Sequence, residues 1–371
     1  MKQMKQIYAL RGLGVLLVVM FHWLFHSRMD ILSSGPVAID IFFVLSGFFI
    51  TNILLEGRDK AEANNIKKRH VFKLFLLNRA LRIFPIYYIT IFLLYFFHES
   101  TDTSIKANFV YFLTYTSNFY FYNIQSWDGV TSHLWSLAVE EQFYIFWPFV
   151  VLLINRKWLP YVIAMFVIIG FVSHYFLSDN EFGMILPFAC FDALGIGALL
   201  SWINLYRSQY LKQTMLICAS TFLGCLLYFF SARILYGKFP LSPDLIFSSV
   251  AAFVISYVVY AEKAGVRIKF RVILENHALI FLGKLCYGLY LYHNILPHYL
   301  MLFMERFQVY RFMPAYVLRH YDLLSHVINF VLLIGISWLS WKYIEKPILS
   351  LKKKFNPKEQ LVKKTEHVLA A

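Results

Sequence analysis

Charge is scarce in this chain, and its scarcity decides the class. Asp, Glu, Lys and Arg make up only 15% of the 371 residues, against 59% hydrophobic residues. Mean hydropathy is +0.58. An ordinary water-soluble domain, with about a quarter of its residues charged, is excluded. Acidic residues are the scarcer sign, 21 against 35 Lys and Arg, for a net charge of +14. In a soluble protein that excess would point to nucleic acid. In a membrane protein it is read first as topology, and no nucleic-acid partner is expected. Cysteine is scarce as well: Cys190, Cys218, Cys225 and Cys286 all fall inside apolar runs without metal-ligand spacing. They read as small core residues, and no metal is expected. The basic N-terminus, MKQMKQIYALRG, has no small-residue cleavage site before the apolar run continues, so it reads as a first span and not as a removed signal peptide. There is no internal repeat.

What is present is a series of long apolar runs. Ten candidate spans follow from them, at 8–27, 36–55, 79–97, 134–154, 158–177, 184–205, 213–231, 244–261, 277–297 and 324–344. The expected class is an all-α polytopic membrane protein of about ten transmembrane helices. The stretch 109–122, FVYFLTYTSNFYFY, is too short and too polar to span and reads as an interfacial or re-entrant segment. With the N-terminus placed inside, 28 of the 35 Lys and Arg fall on the inner side, which predicts that both termini are cytoplasmic. Residues 1–348 then form one transmembrane domain and 349–371 a basic, solvated tail.

Buried titratable groups are the candidates for chemistry, because an ionisable side chain inside a span is costly. The first span carries Arg11 near its start and His22 roughly 16 Å further along the axis. Asp40 opens the second span. Since 22 and 40 are equidistant from residue 31 in the connecting loop, an antiparallel hairpin sets them at similar depth. A carboxylate beside an imidazole stabilises its protonated form, as a general base acting on a hydroxyl requires. The competing explanation is a satisfied core histidine beside an aspartate that caps a helix. Arg79 and Arg82 stand three apart on one face of the third span. Positive-inside flanking accounts for them, and so does a phosphate-bearing cytoplasmic donor. In the fourth span Glu140 and Glu141 are adjacent, so their side chains diverge by about 100° and at most one faces a given cavity comfortably. Asp192 in the sixth span is a further buried acid, and nothing in the sequence identifies its partner. In the ninth span Tyr290 and His293 share a face near the outer end, where interfacial anchoring is the plain alternative.

Taken in order, ALRGLGVLLVVMFH, AIDIFFVLSGFFIT, RALRIFPIYY, LWSLAVEEQFYIFWP, YGLYLYH and YIEKP resemble the integral-membrane acyltransferase family 3 over nearly the whole chain. That family transfers acyl groups, commonly acetyl, onto hydroxyls of surface glycans, peptidoglycan sugars and some natural products. The resemblance implies His22 with Asp40 as the catalytic pair and one of Glu140 or Glu141 as an essential acid. It implies Arg11, Arg79 and Arg82 as the acyl-coenzyme A site; Tyr290, His293 and Trp135 are the expected substrate-binding residues. Acetyl-CoA would be a donor substrate, with no permanently bound cofactor. The acceptor would be a glycan or lipid-linked sugar, and the partners membrane lipids and a second copy of the chain. The expected location is the cytoplasmic (inner) membrane of a bacterium. Members often carry a fused extracytoplasmic hydrolase-like domain; with the last span closing near residue 344, that domain is expected to be absent here. The rival class is a transporter or flippase of lipid-linked sugars, which also needs buried charge in a multi-span bundle. A transporter leaves the thioester of acyl-coenzyme A intact.

Overall fold

A computed structural model describes residues 5–25, 39–101, 103–177, 180–236, 244–314 and 321–351. The helices in order are α1 (Lys5–Met20), α2 (Asp40–Ala63), α3 (Lys68–Phe96), α4 (Phe109–Leu113), α5 (Ser117–Ile124), α6 (Leu134–Leu153), α7 (Leu159–Leu177), α8 (Phe191–Tyr206), α9 (Leu211–Tyr236), α10 (Asp244–Ala264), α11 (Arg271–Leu274), α12 (His277–Tyr292), α13 (Ile295–Arg306), α14 (Tyr321–Ser340) and α15 (Lys346–Ser350). Two turns are π-helical, Phe21–Phe25 after α1 and Trp341–Glu345 after α14. Among the described residues nine helical segments are long and apolar enough to cross a membrane, and a bent pair, α12 with α13, makes ten. An all-helical bundle is the expected outcome for such runs, since a helix satisfies its own backbone where no water can. Residues 26–38, which include His26, and the tail from 352 onward lie outside the described residues.

Two expectations are corrected in detail. The third span starts at Lys68 and not at 79, so Arg79 and Arg82 sit well inside α3 and not at its opening. The run read as one ninth span is two helices meeting at 59°. A hydropathy scan cannot see that break, because both pieces are apolar. The segment 109–122 forms the two short helices α4 and α5, as its length requires.

Close helix contacts are made possible by glycine. The parallel helices α1 and α12 cross where a Cβ on Gly12 would overlap the carbonyl oxygen of Leu279, and one on Gly283 that of Tyr8. The same reciprocal arrangement joins α2 to α8 through Gly47 against Leu194 and Gly197 against Val44. Small residues at such crossings let backbones approach within van der Waals contact, which drives association where lipid offers no hydrophobic gain. At the face where α1 begins, Arg58 is buried and donates from Nη1 to the carbonyls of Val151 and Ile154, each at 2.8 Å. It thereby closes the open C-terminal end of α6. Beside it Arg156 bridges Asp59 and Glu62 at 2.6 Å each. Asp192 is paired with His174 of α7 at 3.4 Å, a partner that sequence alone did not supply.

Candidate active site

The crossing of α1, α2, α3, α6 and α12 encloses a cavity of about 360 Å³. Ile39 and Glu56 both line it, and they stand roughly 25 Å apart along α2, so the cavity runs lengthwise through the bundle. Arg11 enters from α1, Arg79 and Arg82 from α3, Glu140 from α6 and Tyr290 from α12. Five residues singled out by the sequence, from four helices, thus share one space.

The three arginines are the unusual feature. Among the described residues none of them has a carboxylate within 4.0 Å. The Arg79 guanidinium lies over the rings of Tyr144, at 5.4 Å, and Phe75, at 5.7 Å. Such faces stabilise a cation only modestly and leave the donor edge of the guanidinium available. The three arginines share the cavity with two acids, Glu56 and Glu140, neither in ion-pair contact with them, and an anion entering the cavity would offset the cost of the remaining positive charge. Glu140 is the one carboxylate of its pair that lines the cavity. It accepts from Ser46 Oγ at 2.7 Å and from Tyr144 OH at 3.0 Å, and the two hydroxyls are 3.2 Å apart. Glu141 is buried away from the cavity, and its Oε1 has no hydrogen-bond partner. Adjacent positions on a helix diverge, so only one of the two can point inward.

At the far end, Tyr290 connects the cavity to a cluster of histidines. Its hydroxyl meets Ser136 Oγ at 2.5 Å and donates to the His133 carbonyl at 2.9 Å. The Tyr290 ring is 5.4 Å from that of His293, which stands 4.7 Å from His22 and 4.9 Å from His133. His22 lies in the π-helical turn after α1, and its Nδ1 is 2.9 Å from the Val18 carbonyl. A carbonyl only accepts, so Nδ1 carries the hydrogen and Nε2 the lone pair that a base needs. The Asp40 carboxylate, buried at the start of α2, accepts from Ser248 of α10 at 3.0 Å. Trp135 packs against Phe43 at 6.0 Å between ring centroids and does not line the cavity.

Ser46, Ser136, Tyr144 and His133 were not singled out by sequence reasoning. Tyr144 stands one helical turn from Glu140, so the i, i+4 rule could have found it. His133 has no such signal, because its partners come from a helix about 160 residues away, Leu291 being 158 positions distant. Among the described residues no group of three or more His, Cys, Asp or Glu is arranged to hold a metal.

Residues 4–342 match the family model described as an acyltransferase domain. The peptidoglycan O-acetyltransferase OatA of Listeria monocytogenes is 36% identical over 168 residues, 42% of this chain and 25% of that protein. The putative peptidoglycan O-acetyltransferase YrhL of Bacillus subtilis is 37% identical over 151 residues, 38% of this chain and 22% of that one. The O-acetyltransferase OatA of Staphylococcus aureus aligns over 369 residues at 24% identity, covering 91% of this chain and 56% of its own length. The chain therefore spans little more than half of the curated relatives it matches, at most. No solved structure matches it.

Proposed function

The chain belongs to this acyltransferase family, and from that premise we propose that it is a membrane-embedded O-acetyltransferase taking an acyl group from acyl-coenzyme A and delivering it to a hydroxyl of a glycan. The observation that carries this reading is the lengthwise cavity with three unpaired guanidiniums. Coenzyme A brings several phosphates on a long, narrow arm. Guanidiniums hold phosphate oxygens through a planar fork of donors, and Arg11, Arg79 and Arg82 supply three such forks. The length of the cavity gives the thioester a route from the arginines toward Tyr290 and the histidines. The site of action is the cytoplasmic membrane, with the α1-start face toward the cytoplasm where the donor is made.

His22 acts as general base. Its Nε2 takes the proton of the acceptor hydroxyl as the oxygen attacks the thioester carbon, the carbon–sulfur bond breaks, and the proton passes to the leaving thiolate. Asp40 stabilises the imidazolium by its charge. Glu140 is the essential acid, holding Ser46 and Tyr144 in place beside Arg79. Tyr290 shapes the substrate end with His293 behind it, and Trp135, packed outside the cavity, has no direct part in it. The names of the Listeria and Bacillus relatives make a peptidoglycan sugar the first acceptor to try. Purified full chain, given acetyl-CoA and an N-acetylglucosamine oligomer, should release coenzyme A thiol and form an acetyl ester on the sugar. A thioester left intact with every glycan acceptor supplied would overturn the reading.

A further inference from the structure

We propose that His133 and Trp23 are positioning residues that lock the break between α12 and α13, and so fix the His293 ring against His22. The inference rests on His22 being the base.

A helix end leaves its last carbonyls without donors, and here the end lies inside the bundle. α12 stops at Tyr292 and α13 starts at Ile295 at an angle of 59°. Pro297 adds a further open carbonyl, because it has no N–H for the residue four positions back, which is His293. Side chains fill the deficit. His293 Nδ1 reaches its own helix at the Tyr290 carbonyl, 2.6 Å away. His133 Nε2, from the residue just before α6, reaches the Leu291 carbonyl at 3.0 Å. Trp23 Nε1, from the π-helical turn after α1, reaches the His293 carbonyl at 3.0 Å. The break is thus stapled by donors from two other helical segments, and His133 and His293 are both buried, 2% and 0% exposed.

The staples have a chemical consequence. A carbonyl accepts only, so each bound nitrogen is an N–H. His293 is therefore held as the tautomer whose Nε2 is an acceptor, and that atom is buried without a hydrogen-bond partner. Its ring stands 4.7 Å from that of His22 at 72°. When His22 gains a proton it becomes a cation, and a neighbouring ring held neutral with an acceptor nitrogen, its centroid 4.7 Å away, favours that charged form over a ring that could itself carry charge. The hydroxyl proton is carried in that state until the thiolate, freed by breaking the carbon–sulfur bond, takes it. His133 and Trp23 touch no reacting atom. They determine where the stabilising nitrogen sits.

The test uses the full chain in detergent, with acetyl-CoA and an N-acetylglucosamine oligomer as probes and thiol release as readout. His133→Leu removes the staple, whereas His133→Gln keeps an N–H near the position of Nε2. Trp23→Phe removes the indole donor alone. Losing one such bond from the reacting geometry is expected to lower kcat about tenfold in His133→Leu and Trp23→Phe, with the KM for acetyl-CoA within about twofold of the parent. His133→Gln is expected to recover most of that loss. A structural role alone lowers the yield of folded protein and its Tm but leaves kcat per folded molecule unchanged, and that result overturns the proposal. So does a glutamine variant no better than leucine. His22→Ala, run alongside, separates the two ideas. An active His22→Ala overturns the base assignment and this inference with it. An inactive His22→Ala together with a parental kcat in His133→Leu overturns only this inference.

Discussion

At one end of the cavity Arg11, Arg79 and Arg82 present cations with no carboxylate within 4.0 Å. Beyond the other, behind Tyr290 and outside the cavity lining, His22, His133 and His293 stand with ring centroids no more than 4.9 Å apart between neighbours, each with one nitrogen bonded to a main-chain carbonyl. On the proposed reading the first group is completed by the phosphates of the donor, so its energetics would be decided by the ligand. The second is held by the fold itself, with tautomers set before any ligand binds. A membrane enzyme that takes a charged donor from one side and performs proton transfer deeper in the bundle needs both kinds of construction. On the proposed reading charge would collect the donor, and pre-oriented rings would avoid the cost of fixed charge further in.

The comparison breaks first at the histidine end. His22→Ala should insert and fold, yet lose the contribution of general-base catalysis, about 100- to 10,000-fold in acetyl transfer at equal amounts of folded protein. Binding of acetyl-CoA should survive, because the arginines are untouched. Near-parental transfer by this variant would dissolve the distinction between the two ends. The arginine end should fail differently. Arg79→Lys with Arg82→Lys keeps the charge but removes the planar fork, so affinity for acetyl-CoA should fall by roughly 10- to 150-fold, the equivalent of about 1.5 to 3 kcal/mol. Titration calorimetry on the purified variant measures it. Unchanged affinity would return both residues to the role of topological charge. The smallest effect is expected where α1 and α12 cross between the two ends. Gly283→Val places a branched side chain against the Tyr8 carbonyl. The clash is with main chain and not with a movable side chain, so the cost is at least the upper end of the about 1 to 3 kcal/mol typical of overpacking, and Tm should fall by several degrees or more. Because the crossing holds Arg11 and His22 in register with Tyr290, donor affinity and turnover should decline together, and a loss confined to one end would show that the two are not coupled through α1.

The sequence by itself determined the class, the approximate number of membrane segments and most of the charged residues that line the cavity. Apolar runs of about twenty residues admit only helices in a bilayer, and their count needs no knowledge of packing. The sequence also picked out Arg11, Arg79, Arg82, Glu140 and Tyr290, because charge or a polar tip inside such a run is conspicuous wherever the run packs. Only the tertiary structure decided which of two adjacent glutamates turns inward, since that depends on how α6 is rotated against α2 and α3. It alone revealed the break at His293, invisible to hydropathy because both pieces are apolar. It alone gave His133 and Trp23 their place, because their hydrogen bonds close 158 and 270 residues along the chain. A local pattern records what a residue is and which face of its own helix it occupies. What that face meets is set by helix crossings, here by glycines that let α1 lie against α12, and those are properties of the assembled bundle.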